Sequence, residues 1–180
     1  MTEQEAKLTE CRENPLLQQL YKEEEAREAA WETARAAVEQ AGGTVLEVQY
    51  CDAQPDRAAA AMEAVMQKYP QGVDALLVTS DDMALAAIKC IWDNNSAAYQ
   101  KTVICGFDGN QAAVEALDRG ELTVDIAQQG YEMGYKAVEA ALDALEGKSV
   151  ESVIDSGSEV ITADNIDAYI ADCREKGLWS

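Results

Sequence analysis

The pattern of apolar and polar positions along the chain predicts a series of short strands. Residues 44–50 (TVLEVQY) alternate between apolar and polar side chains, which is typical of a strand with one exposed face. Later runs are short and almost continuously apolar, as expected of strands buried on both faces of a sheet. These runs occupy residues 74–79, 102–107 and 122–127. Val160 and Ile161 indicate one more short strand near the end of the chain.

Helical spacing fills the segments around these strands. Residues 14–41 are rich in Ala, Glu, Leu and Gln and are followed by two glycines, which predicts a helix with a defined end. Its apolar stripe holds Trp31, Ala34 and Val38, and Arg27 continues the same stripe. Further helices are predicted over residues 54–69, 82–92, 111–117 and 134–145, and from a Thr162 cap onward.

The repeated order of strand and helix predicts the fold class. Such an order favours an α/β fold with an open, mainly parallel sheet and helices on both faces. The 180 residues suit a single lobe that covers residues 1–180. Residues 1–24 stand apart from this pattern, because they are charged and helical in composition and form an atypical N-terminal segment.

Charge narrows the range of partners. The chain has 34 acidic and 14 basic residues, a formal net charge of -20, which opposes contact with nucleic acid or anionic lipid. No apolar run approaches the roughly 18 residues that span a bilayer, so no direct membrane insertion is expected. Residues 1–40 lack a basic start followed by an apolar stretch, so we expect no signal peptide in this chain.

The chain contains no histidine, which excludes Ser-His, Cys-His and His-metal mechanisms. Its five cysteines are widely spaced and form no CxxC pair, so neither a disulfide framework nor a zinc site is expected. They are Cys11, Cys51, Cys90, Cys105 and Cys173. We therefore expect no catalytic mechanism and no metal site that depends on histidine or on paired cysteines.

Polar side chains follow the predicted strands at their carboxyl ends, where ligands of open α/β sheets bind. Ser80 follows one strand, Asp108 the next and Gln128 the third. Sugars and other polyols need carboxylates that accept from hydroxyls and Arg, Asn or Gln side chains that donate to them. Arg27, Asp108 and Gln128 supply these types on adjacent elements, which indicates a polyol site.

A magnesium site is the competing interpretation of the acidic residues. Asp81, Asp82 and Asp108 offer the oxygen ligands that hard cations prefer. Phosphoryl chemistry would also need a nucleophile, a cationic residue and a phosphate-binding loop, and no Gly-rich loop precedes a helix here. A structural role is the stronger interpretation, because Ser80 or Asp81 at a helix start satisfies free backbone donors.

Several motifs in fixed order resemble a known family. They are Ser-Asp-Asp-Met-Ala-Leu-Ala at 80–86, Gly-Phe-Asp-Gly at 106–109, Gly-Glu-Leu-Thr-Val-Asp-Ile-Ala-Gln at 120–128 and Val-Ile-Thr-Ala-Asp-Asn at 160–165. Together they are similar to the type I periplasmic sugar-binding proteins, the ribose- and galactose-binding branch of ABC-transporter substrate-binding components. The resemblance runs from about residue 25 to residue 166 and implies the flavodoxin-like C-terminal half of that two-lobed fold.

The resemblance also implies site residues and partners. Arg27, Asp108 and Gln128 match the family's side chains that bond sugar hydroxyls, while Ser80 stands where the family has Asn. Asp81 matches a residue expected to cap the helix beside the site. A sugar ligand, an ABC transporter permease and an extracytoplasmic location, in the periplasm or at the cell surface, follow from the same resemblance. It also implies a binding protein that is not an enzyme and that holds no cofactor and no metal.

One part of the family pattern has no counterpart in the sequence. The family has a central strand before the helix that carries Arg27, whereas the residues here are helical and charged. We expect that the remaining strands close up, that a segment of another copy pairs in as a domain-swapped strand, or that the C-terminal strand is re-routed. The helix at 134–145 would then expose its apolar stripe, which favours a homodimer.

Two other functions stay open at this point. The effector-binding lobe of a LacI-type transcription regulator shares the architecture, although neither a helix-turn-helix nor a basic patch is visible. A truncated lobe without autonomous ligand binding is the second alternative, because half a binding site lacks the closure that sequesters a ligand.

Overall fold

The computed structural model describes residues 31–179, which fall into two compact units. The first unit extends to Gln49 and the second begins at Tyr50. In the first unit, residues 31–40 are helical, and Trp31, Ala34 and Val38 are half-buried along one stripe, as the spacing predicts. Arg27 lies outside the described residues, and so does the predicted segment at 1–24.

The second unit is built on a sheet of four strands in the order β1-β2-β3-β4. The strands are β1 (Ala75–Leu77), β2 (Val103–Asp108), β3 (Val124–Gln128) and β4 (Ser158–Ile161). β1, β2 and β3 are parallel, and β4 pairs antiparallel with β3. The prediction of an open, mainly parallel sheet is confirmed.

Five helices accompany the strands in this unit: α1 (Pro55–Lys68), α2 (Asp81–Asp93), α3 (Gln111–Asp118), α4 (Gly130–Leu145) and α5 (Ile166–Glu175). Local chemistry explains where they begin. Proline occupies the first turn of α1, where a missing N–H is tolerated. Ser80 and Asn110 cap α2 and α3 with side-chain oxygens that accept backbone hydrogen bonds. Among the described residues, no helix is both long and apolar enough to cross a bilayer.

The core lies against one face of the sheet. Ile104, Ala127 and Ile161 point to this face and are almost fully buried among residues of α1, α2, α3 and α5. The opposite face is apolar and less covered: Leu77, Val103 and Val160 are 50%, 45% and 54% exposed, whereas its central residues on β2 and β3 are half-buried. The described strands are therefore fully buried on one face only, whereas their continuous apolar sequence predicts burial on both.

The predicted strand at residues 44–50 is wrong, because the structure gives this segment no strand assignment. Alternation of side chains describes which faces a strand would show, but a strand also needs a neighbour for its backbone hydrogen bonds. None of the described strands pairs with residues 44–50. An alternating pattern alone is therefore not sufficient to predict a strand.

The predicted cap of the last helix is also corrected. Asn165, not Thr162, precedes α5, and the Asn165 side chain accepts from the Thr162 backbone N–H at 2.8 Å. The Asn165 amide also donates to Val160 O at 2.9 Å. Asn165 therefore stabilises the turn between β4 and α5, and the helix begins about one turn later than predicted.

Candidate functional site

Asp108 and Gln128 lie side by side at the carboxyl edge of the sheet. Asp108 ends β2 and Gln128 ends the neighbouring parallel strand β3. The Gln128 amide Nε2 donates to Asp108 Oδ1 at 2.5 Å, and Gln128 is exposed. A carboxylate oriented by an amide is a pair that can both accept from and donate to hydroxyl groups. The structure thus brings together two of the residues that the sequence singles out.

The backbone at Asp108 is strained. Its φ is +136°, a value that residues with a side chain rarely adopt. Gly109 follows with φ +78°, so the chain turns sharply as it leaves β2. Strained backbone persists where the surrounding structure holds it, and it concentrates at binding and catalytic sites. The strain here falls on a candidate binding residue.

Ser80 lies at the start of α2, after β1, and acts as the helix cap. Its Oγ accepts from the Met83 backbone N–H at 3.4 Å. Since β1 and β2 are parallel, the Ser80 side chain is at the same edge of the sheet as Asp108. Its hydroxyl proton stays available for another acceptor, so capping and ligand contact are compatible.

Replacing Ser80 with alanine is expected to lower the free energy of unfolding by about 1 kcal/mol, because the Met83 N–H loses its acceptor. Chemical denaturation measures this change. Asparagine is also a good cap, so Ser80→Asn should recover most of the loss, and Thr79→Ala at the exposed neighbouring position is the control. An unchanged stability of Ser80→Ala would contradict the capping role.

Asp81 is the first residue of α2 and is fully buried. Its Oδ2 accepts from the Asn110 backbone N–H at 2.8 Å, so the carboxylate ties α2 to the turn that follows Asp108. Burial raises the pKa of this carboxyl group, and the backbone hydrogen bond from Asn110 opposes that shift. Asp81 has a structural contact beside the site, while the cap of α2 is Ser80.

Asp125, in the middle of β3, is a residue that the sequence analysis missed. It is 0% exposed, and within residues 31–179 no donor lies within hydrogen-bond geometry of either carboxyl oxygen. Burial, and after it the charge of Asp81, raises the pKa of Asp125 to about 7. The only signal in the sequence is an acidic residue inside an otherwise apolar strand, in the run Leu-Thr-Val-Asp-Ile-Ala.

The magnesium interpretation gains no support from the geometry. Asp82 is exposed and Asp81 is buried, so these consecutive carboxylates point to different sides of α2 and are not placed to bind one metal ion together. Within residues 31–179, no group of three or more Cys, Asp or Glu side chains is arranged to hold a metal ion.

A hollow of about 250 Å³ lies at the other edge of the sheet. Trp92, Thr102 and Thr123 contribute to its lining, and the two threonines directly precede β2 and β3. It is therefore at the amino ends of the strands, whereas Asp108 and Gln128 are at their carboxyl ends. Ligands of open parallel sheets bind at the carboxyl ends.

Several known proteins that are similar to this chain are binding proteins of transport systems. It is 39% identical over 93 residues to a ribose import binding protein of Bacillus subtilis, in an alignment that covers 52% of this chain and 29% of the relative. The structure resembles a periplasmic ribose ABC transporter protein of Conexibacter woesei with a TM-score of 0.70 at 28% identity, covering 78% of this chain and 47% of the other.

A solute-binding protein of Agrobacterium vitis with bound D-fucose gives a TM-score of 0.65 at 28% identity, over 74% of this chain and 46% of the other. The chain thus spans less than half the length of these relatives. The sequence profile of the periplasmic binding protein domain matches residues 18–149, which is most of the chain. The chain belongs to the periplasmic binding protein family.

Proposed function

We propose that this chain binds a sugar or similar small polyol at the carboxyl edge of its sheet, as part of an ABC-transporter substrate-binding protein. The observation that carries the proposal is the Asp108–Gln128 pair, in which an amide orients a carboxylate at the end of adjacent parallel strands. Such a pair accepts from and donates to neighbouring hydroxyls of one ring. Ser80 adds a hydroxyl at the same edge.

The relatives support the choice of ligand class. One is named for ribose import, and a solved relative holds D-fucose. Both ligands are neutral and rich in hydroxyl groups, which matches a site that offers carboxylate, amide and hydroxyl groups. We infer a binding protein and not an enzyme, with an extracytoplasmic location and a transporter permease as its partner, as in an uptake system. Arg27 remains a proposed fourth contact.

A calorimetric and thermal-shift screen tests the proposal. Ribose, D-fucose and myo-inositol are titrated into the full chain, with the matched polyol-free buffer as the blank. A ligand at a hundredfold excess over its dissociation constant raises the apparent stability by about 2.7 kcal/mol. We expect a saturable shift with at least one of these compounds. No heat and no shift with any of them would favour the alternative of a lobe without autonomous binding.

The homodimer stays a prediction. α4 has no buried residue, and Val138, Leu142 and Leu145 on it are more than half exposed. Large exposed apolar stripes mark interaction surfaces. Size-exclusion chromatography with light scattering should give twice the chain mass, and Leu142→Glu should shift the species toward monomer. A monomeric, folded wild-type chain would contradict the prediction.

A further inference from the structure

Two buried carboxyl groups meet beneath the proposed binding edge. Asp81 comes from the start of α2 and Asp125 from the middle of β3, and both are 0% exposed. They converge above Gly106 of β2: a Cβ added there would lie 2.7 Å from Asp81 Oδ1 and 3.5 Å from Asp125 Oδ1. Gly106 is also the Cα partner of Asp125 in the sheet. The absence of a side chain at 106 is what leaves room for the pair.

Several oxygens of the Asp81 and Asp125 carboxyl groups lack a hydrogen-bond donor unless one of the two groups is protonated. Among the described residues, no donor lies within hydrogen-bond geometry of Asp81 Oδ1 or of either Asp125 oxygen, although Asp81 Oδ2 accepts from Asn110. The nearby Gly109 backbone N–H only partly offsets the raised pKa of the two carboxyl groups. Two ionised carboxylates in contact and away from water are strongly unfavourable. A proton on one of them supplies the missing donor, since a protonated carboxyl is an O–H donor.

We propose that Asp125 is a positioning residue of the binding site: its protonated carboxyl group donates to Asp81, and the pair in turn holds the Asp108–Asn110 turn. This inference rests on the proposed function, because the turn carries the ligand-binding carboxylate. Asp81 connects the two parts directly through its bond to the Asn110 N–H. The strained φ of Asp108 is the conformation that the pair stabilises.

The surroundings of the pair make the protonation of Asp125 depend on pH near neutrality. Burial and the Asp81 charge raise the pKa of Asp125 from 3.8 to about 7. In the part of the chain that the structure describes, the pair also interacts with the ionisable side chains of Cys105 and Asp108 on β2 and of Tyr169 on α5. None of these three side chains is cationic in any protonation state, so none replaces the proton as a counter-charge.

The sign of the effect follows from this raised pKa. The folded chain binds the Asp125 proton more tightly than the unfolded chain does, so the proton stabilises the fold fully below about pH 4. That stabilisation is lost as the pH rises through about 7. Above this pH the two carboxylates of Asp81 and Asp125 repel each other and no longer hold the Asp108–Asn110 turn. Ligand affinity falls as a result.

Affinity measured between pH 6 and pH 8.5 tests the inference. We expect the wild-type chain to bind ribose, or the best polyol of the screen, about tenfold more weakly at the higher pH. Asp125→Asn keeps the shape and a permanent donor toward Asp81, so its affinity should match the wild type at pH 6 and stay constant with pH. Asp82→Asn, at an exposed carboxylate one residue from Asp81, should keep the wild-type profile.

Carboxyl ¹³C NMR titration of the wild-type chain provides a measurement that needs neither a variant nor a ligand. Asp125 should titrate near neutrality, and the amide signals of Gly109 and Asn110 should move with the same midpoint. An Asp125 midpoint near 4, or amides that do not follow it, would overturn the inference. An Asp125→Asn variant with the wild-type pH profile would overturn it as well. Absence of polyol binding at every pH contradicts the proposed function, whereas the amide titration decides the turn-holding role separately.

Discussion

Replacing Gly109 with alanine is expected to lower the free energy of unfolding by about 3 kcal/mol or more, because backbone strain and steric overlap add at this position. Gly109 has φ +78°, which costs a residue with a side chain about 1–2 kcal/mol. Its Cβ would also lie 2.4 Å from Ala127 Cβ and 2.7 Å from the Tyr169 hydroxyl. Ala127 is in the sheet and fully buried, so it has no room to move.

Gly147 provides a matched control for this prediction. Its φ of +76° is nearly the same, but an added Cβ there would meet nothing within 4 Å. Gly147→Ala therefore carries the backbone strain alone and should cost about 1 kcal/mol. Urea denaturation of both variants separates strain from overlap. Equal losses in the two variants would show that the close contact of Gly109 with Ala127 and Tyr169 does not matter.

Replacing Asp108 with asparagine is expected to weaken polyol binding by about a hundredfold. The substitution keeps the shape, and asparagine tolerates positive φ better than most residues. It removes a charged acceptor, and hydrogen bonds to charged groups contribute about 1.5–3 kcal/mol each. The loss should therefore appear in affinity and not in the fold, as calorimetry and circular dichroism of the same samples would show.

The control for Asp108 is Asp118→Asn, an exposed carboxylate at the end of α3 that removes the same charge far from the edge. Its affinity should equal that of the wild type. Asp108→Asn should also lower the pKa of Asp125, because the Asp108 charge contributes to raising it. Unchanged affinity in Asp108→Asn would remove this carboxylate from the proposed site.

Most elements of the sheet unit follow from sequence pattern, for reasons that individual segments make clear. The runs that became β2 and β3 are apolar and bounded by turns, and Pro55 fixes the start of α1. The antiparallel pairing of β4 with β3 does not follow from the sequence of β4, because a short apolar run does not show which strand it pairs with or in which direction. The segment at 44–50 shows the same limit, because its alternating side chains predict a strand, whereas none of the described strands pairs with it.

The candidate site also has one part that the sequence predicts and one part that it does not. Asp108 and Gln128 could be predicted to meet, because the carboxyl ends of adjacent parallel strands lie at one edge. The roles of Ser80 and Asp81 depend on which side chain turns toward the helix and which toward Asn110, and their neighbouring positions do not decide this. The role of Asp125 could not be predicted from the sequence, because it depends on contact with Asp81. The two residues are distant in sequence, and only the fold brings them together.

The proposed function depends above all on a ligand that binds where Asp108 and Gln128 meet. Two-dimensional ¹H–¹⁵N NMR of the full chain with added ribose or D-fucose tests it most directly, because it reports the position of binding and its strength together. We expect saturable shifts of the Gln128 side-chain amide and of the backbone amides of Gly109 and Asn110. Shifts confined to the opposite edge, around Trp92 and Thr123, or no shifts with any polyol, would contradict it.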